Sequence, residues 1–227
     1  MDLTQNKPII INRGIGGWYA VGSSRLERSL MFHGWAGDAC ITTAYPDASP
    51  KHEDNPYAFK PYAFQEAFDE GYKIALWCDS SFWTVRNPMP MIDFIVDNGL
   101  YMFKSGYSLR QTCSDALSNH FGITREELTD VPEFATGCVG INIDNPIGKE
   151  FFERWMDMCK LGLFKGNRAH DYRDSIDPEF KFSRQDQSAA SMALHLMGIK
   201  NINAPEWIAY KGTGYNEKEL MFFIEGL

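Results

Sequence analysis

The chain has 227 residues, enough for one large domain or two small ones. Its 14% aromatic share allows a substantial core, and a formal charge of −8 argues against a sequence-independent binder of nucleic-acid backbone, which needs a basic face. Five scattered cysteines, Cys40, Cys78, Cys113, Cys138 and Cys159, form no CxxC pair and are odd in number. A zinc site or disulfide framework is therefore not expected, and a reducing, cytoplasmic setting is. No charged stretch followed by an apolar run opens the chain, and no apolar run approaches the ~18 residues of a membrane span, so neither a signal peptide nor a transmembrane segment is expected.

In chain order, Pro8–Asn12 is a compact strand that runs through Asn12-Arg13 into the glycine-rich turn Gly14–Gly17. Glycines after a strand let backbone approach a ligand, but this spacing is not the GxGxxG dinucleotide pattern. Ser23 or Ser24 is placed to cap a helix whose apolar stripe starts at Leu26, Leu30 and Phe32. Ala39–Ala44 is a second strand, and 45–55 is loop. Tyr57–Glu70 has helical spacing, and because Pro61 is tolerated only in a first turn, Lys60 lies at the mouth of that helix. Lys73–Cys78 is a short apolar run that stops on Asp79-Ser80-Ser81, as a central parallel strand does at its carboxyl end. In open α/β sheets ligands bind at that end; an Asp that only closes a turn is the plainer alternative.

Further along, Met91–Val96 starts a helix, Gly99–Phe103 is a strand, and Leu109–Phe121 reads as one helix. Thr124–Glu127 resembles a capping box. Thr136–Ile143 is an apolar strand with Gly137 and Gly140 inside it, which suggests close approach of backbone or ligand. Pro146–Leu163 is an amphipathic helix. Gly166–Lys181 is polar, a candidate mobile cover. Arg184–Leu196 is a helix opening on Arg-Gln-Asp-Gln, with Asp186 suited to the dipole of its first turn. Ile199–Ala204 is a last strand, and 205–215 is an irregular tail carrying Lys211. The alternation of strands and helices implies a single α/β domain over 1–227, a three-layer sandwich with a central, mostly parallel sheet.

Three segments, YAFKPYAFQEAFDEGYKIALWCDSSFW, TGCVGINIDNPIGKEFFERW and SRQDQSAASMAL, together resemble the nucleotide-diphospho-sugar transferases of the GT-A fold over roughly Pro8 to Ile202. The resemblance implies a glycosyltransferase that moves a sugar from a nucleotide-diphosphate donor to an acceptor hydroxyl. It places Asn12 and Arg13 near the nucleoside and Asp79 and Ser81 in the position of the family's metal-binding D-x-D triplet. A single carboxylate followed by Ser is a poorer site for Mg²⁺ or Mn²⁺. Either Asp79 holds a divalent cation with water and diphosphate, or Lys60, Arg13 and Lys211 neutralise the diphosphate instead. Asp186-Gln187 resembles the D-Q pair at the reacting centre of retaining members, and Thr136-Gly137-Cys138 would floor the sugar. If the enzyme inverts, Asp186 and then Asp144 are the candidate general bases.

Trp83, Trp207 and Tyr210 offer faces for stacking on sugar or base, although aromatics more often build the core. His52 and His170 lie in loops, and His195 lies on an apolar helix. The acceptor is left open among a glycan, a lipid-linked sugar, a protein or a modified nucleic-acid base. Two other readings remain. A nucleotide-sugar-binding module without catalysis is favoured by Ser81. A nucleotidyltransferase would use Gly14–Gly17 followed by basic Arg25.

Overall fold

The computed structural model describes residues 7–165 and 174–225. Five strands form the central sheet: β1 (Ile9–Arg13), β2 (Asp38–Thr42), β3 (Ile74–Cys78), β5 (Leu100–Ser108) and β6 (Pro132–Asn142), in the order β2-β1-β3-β6-β5. β1 pairs in parallel with β2 and β3, whereas β6 runs antiparallel to both β3 and β5, so four of the five strands point one way. A second sheet, β4-β8-β7, joins β4 (Phe82–Thr84) to β8 (Phe222–Ile224) and β7 (Ile208–Tyr210).

Both faces of the main sheet are covered, which is why β3 and the Ile9–Ile11 part of β1 are continuous apolar runs. Alternation along β1 sends Ile9 and Ile11 into one core and Ile10 into the other. The first core is closed by α2 (Phe59–Asp69), α6 (Pro146–Lys160) and α7 (Gln185–Leu196), through Phe64, Phe151, Trp155 and Ala189. The second is closed by α1 (Tyr19–Phe32) and α3 (Met89–Asn98), through Leu26, Leu30, Ile92 and Ile95. The result is the three-layer α/β sandwich. Among the described residues no helix is long and apolar enough to cross a membrane.

Local chemistry sets the element ends. Asn145 caps α6 by accepting from Ile147 N–H at 3.0 Å, with Pro146 next. Gly99 closes α3 in the left-handed region, φ 82°. Thr124 and Glu127 exchange the bonds of a capping box, opening a 3₁₀ turn at Glu126–Leu128. The two glycines inside β6 serve different ends. A Cβ on Gly140 would stand 2.2 Å from Ile95 Cδ1, so its absence lets α3 pack on the sheet, whereas Gly137 faces Phe82 and Asp79.

Several elements depart from expectation. Ser23 and Ser24 lie inside α1 and do not cap it; Ser23 Oγ instead donates to Asn12 Oδ1 at 2.5 Å. The helix expected over Leu109–Phe121 is two, α4 (Leu109–Thr112) and α5 (Asp115–His120). The break arises because Gln111 and Thr112 carbonyls accept from Lys181 N, Arg184 N and Ser188 Oγ, while Ser114 caps the second helix. Residues 199–204 form no strand, and the expected irregular tail contains β7. The expected cover is described only from Asp174 onward; 166–173, with His170, lie outside the described residues.

Candidate functional site

Parallel β1 and β3 bring Arg13 and Cys78 to the same edge of the sheet. Antiparallel β6 enters that edge from its own amino end, pairing Cys138 with Cys78 and passing Gly137 O to Asp79 N at 2.8 Å. α7 packs along β6, with Thr136 N–H donating to Gln187 Oε1 at 3.3 Å. Residues distant in sequence thus meet at one point, the carboxyl end of β3.

An open cleft of about 110 Å³ lies there, lined by Tyr57, Lys60, Asp79, Thr136, Gly137 and residues 183–187. At its base Lys60 Nζ stands 3.2 Å from Asp79 Oδ1 and 3.1 Å from Asp186 Oδ2, and donates to Thr136 O at 3.2 Å. Thr136 Oγ1 donates to Asp186 Oδ2 at 2.6 Å, and Trp77 Nε1 donates to Asp79 Oδ1 at 2.7 Å. Burial pulls the Lys60 ammonium down, but Asp186, Asp79 and Tyr57 outweigh it and hold it above its ordinary value. Lys60 is therefore a fixed cation. Burial pushes the Asp79 carboxyl up against the pull of Lys60 and Trp77. That side chain keeps 37% of its surface open to the cleft, so solvent moderates the push.

Behind α7 lies a buried carboxylate that sequence reasoning missed. Glu133 is fully buried and accepts from Ser105 Oγ at 2.6 Å and Gln187 Nε2 at 2.7 Å. Its burial raises its pKa. Both ends of the Gln187 amide are thus engaged, one by Thr136 N and one by Glu133, which fixes its orientation. Only the sequence oddity of an acid inside an apolar strand pointed to Glu133.

The sequence-derived candidates divide. Lys60, Asp79, Thr136, Gly137, Asp186 and Gln187 line the cleft together. Asn12 is buried and outside the lining, its Nδ2 donating to Cys78 O at 2.7 Å and to Ser80 Oγ at 3.3 Å, tying β1 to the end of β3. Arg13 pairs with Glu66 at 2.7 Å, away from the lining. Ser81 is not in the lining, and its carbonyl accepts from Arg25 and from Glu225 N. Lys211 pairs with Glu225 at 2.7 Å beside the small sheet. Asp144 is a correction: β3–β6 register sets Asn142 opposite Ile74, so Asp144 lies at the far end of β3 from Asp79, exposed and 3.8 Å from Lys73. Arg25 pairs with Glu225 and stacks on Trp83 at 4.3 Å, outside the lining. Trp207 is core, Tyr210 is exposed, and the aromatic in the cleft is Tyr57. His52 accepts from Tyr57 N at 3.2 Å, and burial lowers its pKa.

The residues present do not suit a divalent cation of the D-x-D kind. The Lys60 ammonium already engages both cleft carboxylates, and the triplet contributes one carboxylate, its Ser81 lying outside the lining.

No family model matches the chain, and no curated protein does. Among solved structures, the apo form of WbbM, described as a bifunctional glycosyltransferase, matches 99% of this chain at a TM-score of 0.55 and 12% identity. The chain has the fold of a glycosyltransferase. It spans 46% of the length of WbbM. A glycosyltransferase involved in glycosylation of the major capsid of PBCV-1 matches 65% of each chain at 15% identity and a TM-score of 0.37, too low to bear on the fold.

Within this glycosyltransferase fold a second hollow, about 420 Å³, lies between β5 and residues 201–208. It is the larger of the two, but Lys104 and Glu206 are its only charged lining residues, so the chemistry concentrates in the smaller cleft.

Proposed function

We propose that the chain is a glycosyltransferase domain that takes a nucleotide-diphosphate sugar at the carboxyl ends of β1 and β3 and transfers its glycosyl group to an acceptor hydroxyl. The observation that carries this reading is the Asp79–Lys60–Asp186 bridge at that edge of a glycosyltransferase fold. In the reaction the bond from the anomeric carbon to the diphosphate oxygen breaks, and a bond from that carbon to the acceptor oxygen forms. The acceptor proton passes to a base, and nucleoside diphosphate leaves.

Asp186 is the base or hydroxyl-binding group in this reading, held in place by Lys60 and the Thr136 hydroxyl. Gln187, locked at both amide ends, orients the sugar from the wall, and Gly137 leaves room beside Asp79. Lys60 supplies the fixed positive charge that a metal supplies elsewhere, so we propose that turnover does not depend on Mg²⁺ or Mn²⁺. The acceptor class stays open among glycan, lipid-linked sugar, protein and modified base. Five thiols without a disulfide suit a cytoplasmic protein.

A thermal-shift screen of nucleotide sugars tests the reading. One donor is expected to raise the melting temperature, with or without Mn²⁺, and Asp79→Asn to remove the shift. A chain that no nucleotide sugar stabilises contradicts it. The engagement of both cleft carboxylates by Lys60 favours one second reading, a module that binds the donor without turning it over. Binding with no donor hydrolysis or transfer would select that module.

A further inference from the structure

The cations that sequence reasoning offered to a diphosphate are already matched. Lys60 is shared by Asp79 and Asp186, Arg13 pairs with Glu66, and Lys211 pairs with Glu225. One cleft-lining cation differs. Arg184 has no carboxylate partner among the described residues; its guanidinium lies against the rings of Phe182 at 4.9 Å and Tyr107 at 6.0 Å. Its backbone N–H is anchored to Thr112 O at 3.3 Å, and its Nε is buried with no hydrogen-bond partner.

The adjacent residue has the same unmet demand. Gln185 lines the cleft, is 4% exposed, and its Nε2 is buried without a partner. It also holds φ at +40°, a conformation costly for a side chain with a Cβ. The one other non-glycine residue at positive φ among the described residues is Tyr57, at +61°, which also lines this cleft. Strained backbone and unmatched buried donors are both rare in folded proteins and tend to persist at binding sites. Here they converge.

We infer that Arg184 and Gln185 form an anion-receiving wall that binds a phosphoryl or carboxylate oxygen of the ligand. The inference rests on the transferase reading for the ligand's origin, either the donor diphosphate or the carboxylate of an acidic sugar. The wall presents an amide N–H and a guanidinium, so the ligand supplies acceptors, and a guanidinium suits planar or tetrahedral oxyanions. The amino end of α7, 12 residues long, adds its dipole on the same side. Two carboxylates lie nearby and are both engaged. Asp186 is held by Lys60 and Thr136, and Glu133 by Ser105 and Gln187. Arg184 feels Glu133 at longer range but forms no direct ion pair with either among the described residues, which leaves its guanidinium edge for a ligand.

The test is calorimetric titration of the full chain with inorganic pyrophosphate, with glucuronate, and with glucose as a neutral control, at low salt. Wild type is expected to bind at least one of the two anions and not glucose. Arg184→Gln is expected to weaken that binding about tenfold or more, as loss of a charge-assisted bond does. Gln185→Gly should melt at a higher temperature, because glycine accepts φ +40° freely, and yet bind the anion more weakly. Pyrophosphate binding identifies the phosphoryl source and glucuronate binding the carboxylate source; either supports the wall. Wild type that binds neither anion, or variants that bind as wild type does, overturn it. The two readings fail separately. Arg184-dependent pyrophosphate binding without any nucleotide-sugar binding removes the transferase, and nucleotide-sugar binding with both anions bound by Arg184→Gln as tightly as by wild type removes the wall.

Discussion

At the residue scale the decisive group is Lys60, an ammonium 4% exposed at its side chain between two carboxylates. Removing one member of such a set leaves charge stranded in a poorly solvated place. Lys60→Met is expected to cost about 3–5 kcal/mol in urea denaturation, as breaking a buried pair does. A loss below 1 kcal/mol would mean that the bridge is solvent-screened. Glu133 gives a pH signature. Its folded pKa is raised, so the folded state binds its proton more tightly than the unfolded chain. Its contribution to stability is thus fully present below the ordinary carboxylate value and declines as pH rises from there through the folded value. Stability of wild type relative to Glu133→Gln should therefore be greatest near pH 4 and fall toward pH 7. A difference that is flat with pH would show that Glu133 is ionised as readily in the folded as in the unfolded chain.

At the element scale, the chain's local chemistry made most of the fold legible. The apolar runs of β1 and β3, the Asn145-Pro146 start of α6 and the Thr124–Glu127 box all stand where the residues say they should. What was not legible depends on tertiary partners. The break between α4 and α5 exists because residues 181–188 claim the carbonyls of Gln111 and Thr112. β4 has meaning only once it pairs with β8: Phe82–Thr84 are β-favouring residues, but three of them are too short a run to mark a strand. Two variants test the local account. Asn145→Ala should lower stability by about 1 kcal/mol through loss of the α6 cap, read from the denaturation midpoint. Gly140→Val should cost about 1–3 kcal/mol by driving a side chain into Ile95. Wild-type stability in either would show that the helix end or the packing relaxes.

At the scale of the whole molecule, the sheet order converts four separate sequence signals into one cleft. The Asp79 strand end, the Lys60 helix mouth, the Thr136-Gly137 step and the Asp186-Gln187 helix start were each visible along the chain. Their mutual bonding was not, because it depends on β6 running against β3 and on α7 lying along β6. Asn12, Arg13, Ser81 and Lys211 show the complementary limit. Polar residues at strand and loop ends look alike in sequence whether they face a ligand or, as with Arg13 and Glu66, each other. The central claim is that this cleft cleaves a nucleotide sugar, and release of nucleoside diphosphate measures it directly. With a panel of donors and acceptors, the account predicts donor-specific release that survives a metal chelator and falls about 100-fold or more in Asp186→Asn. Release of pyrophosphate instead, or release that Asp186→Asn leaves unchanged, would contradict it.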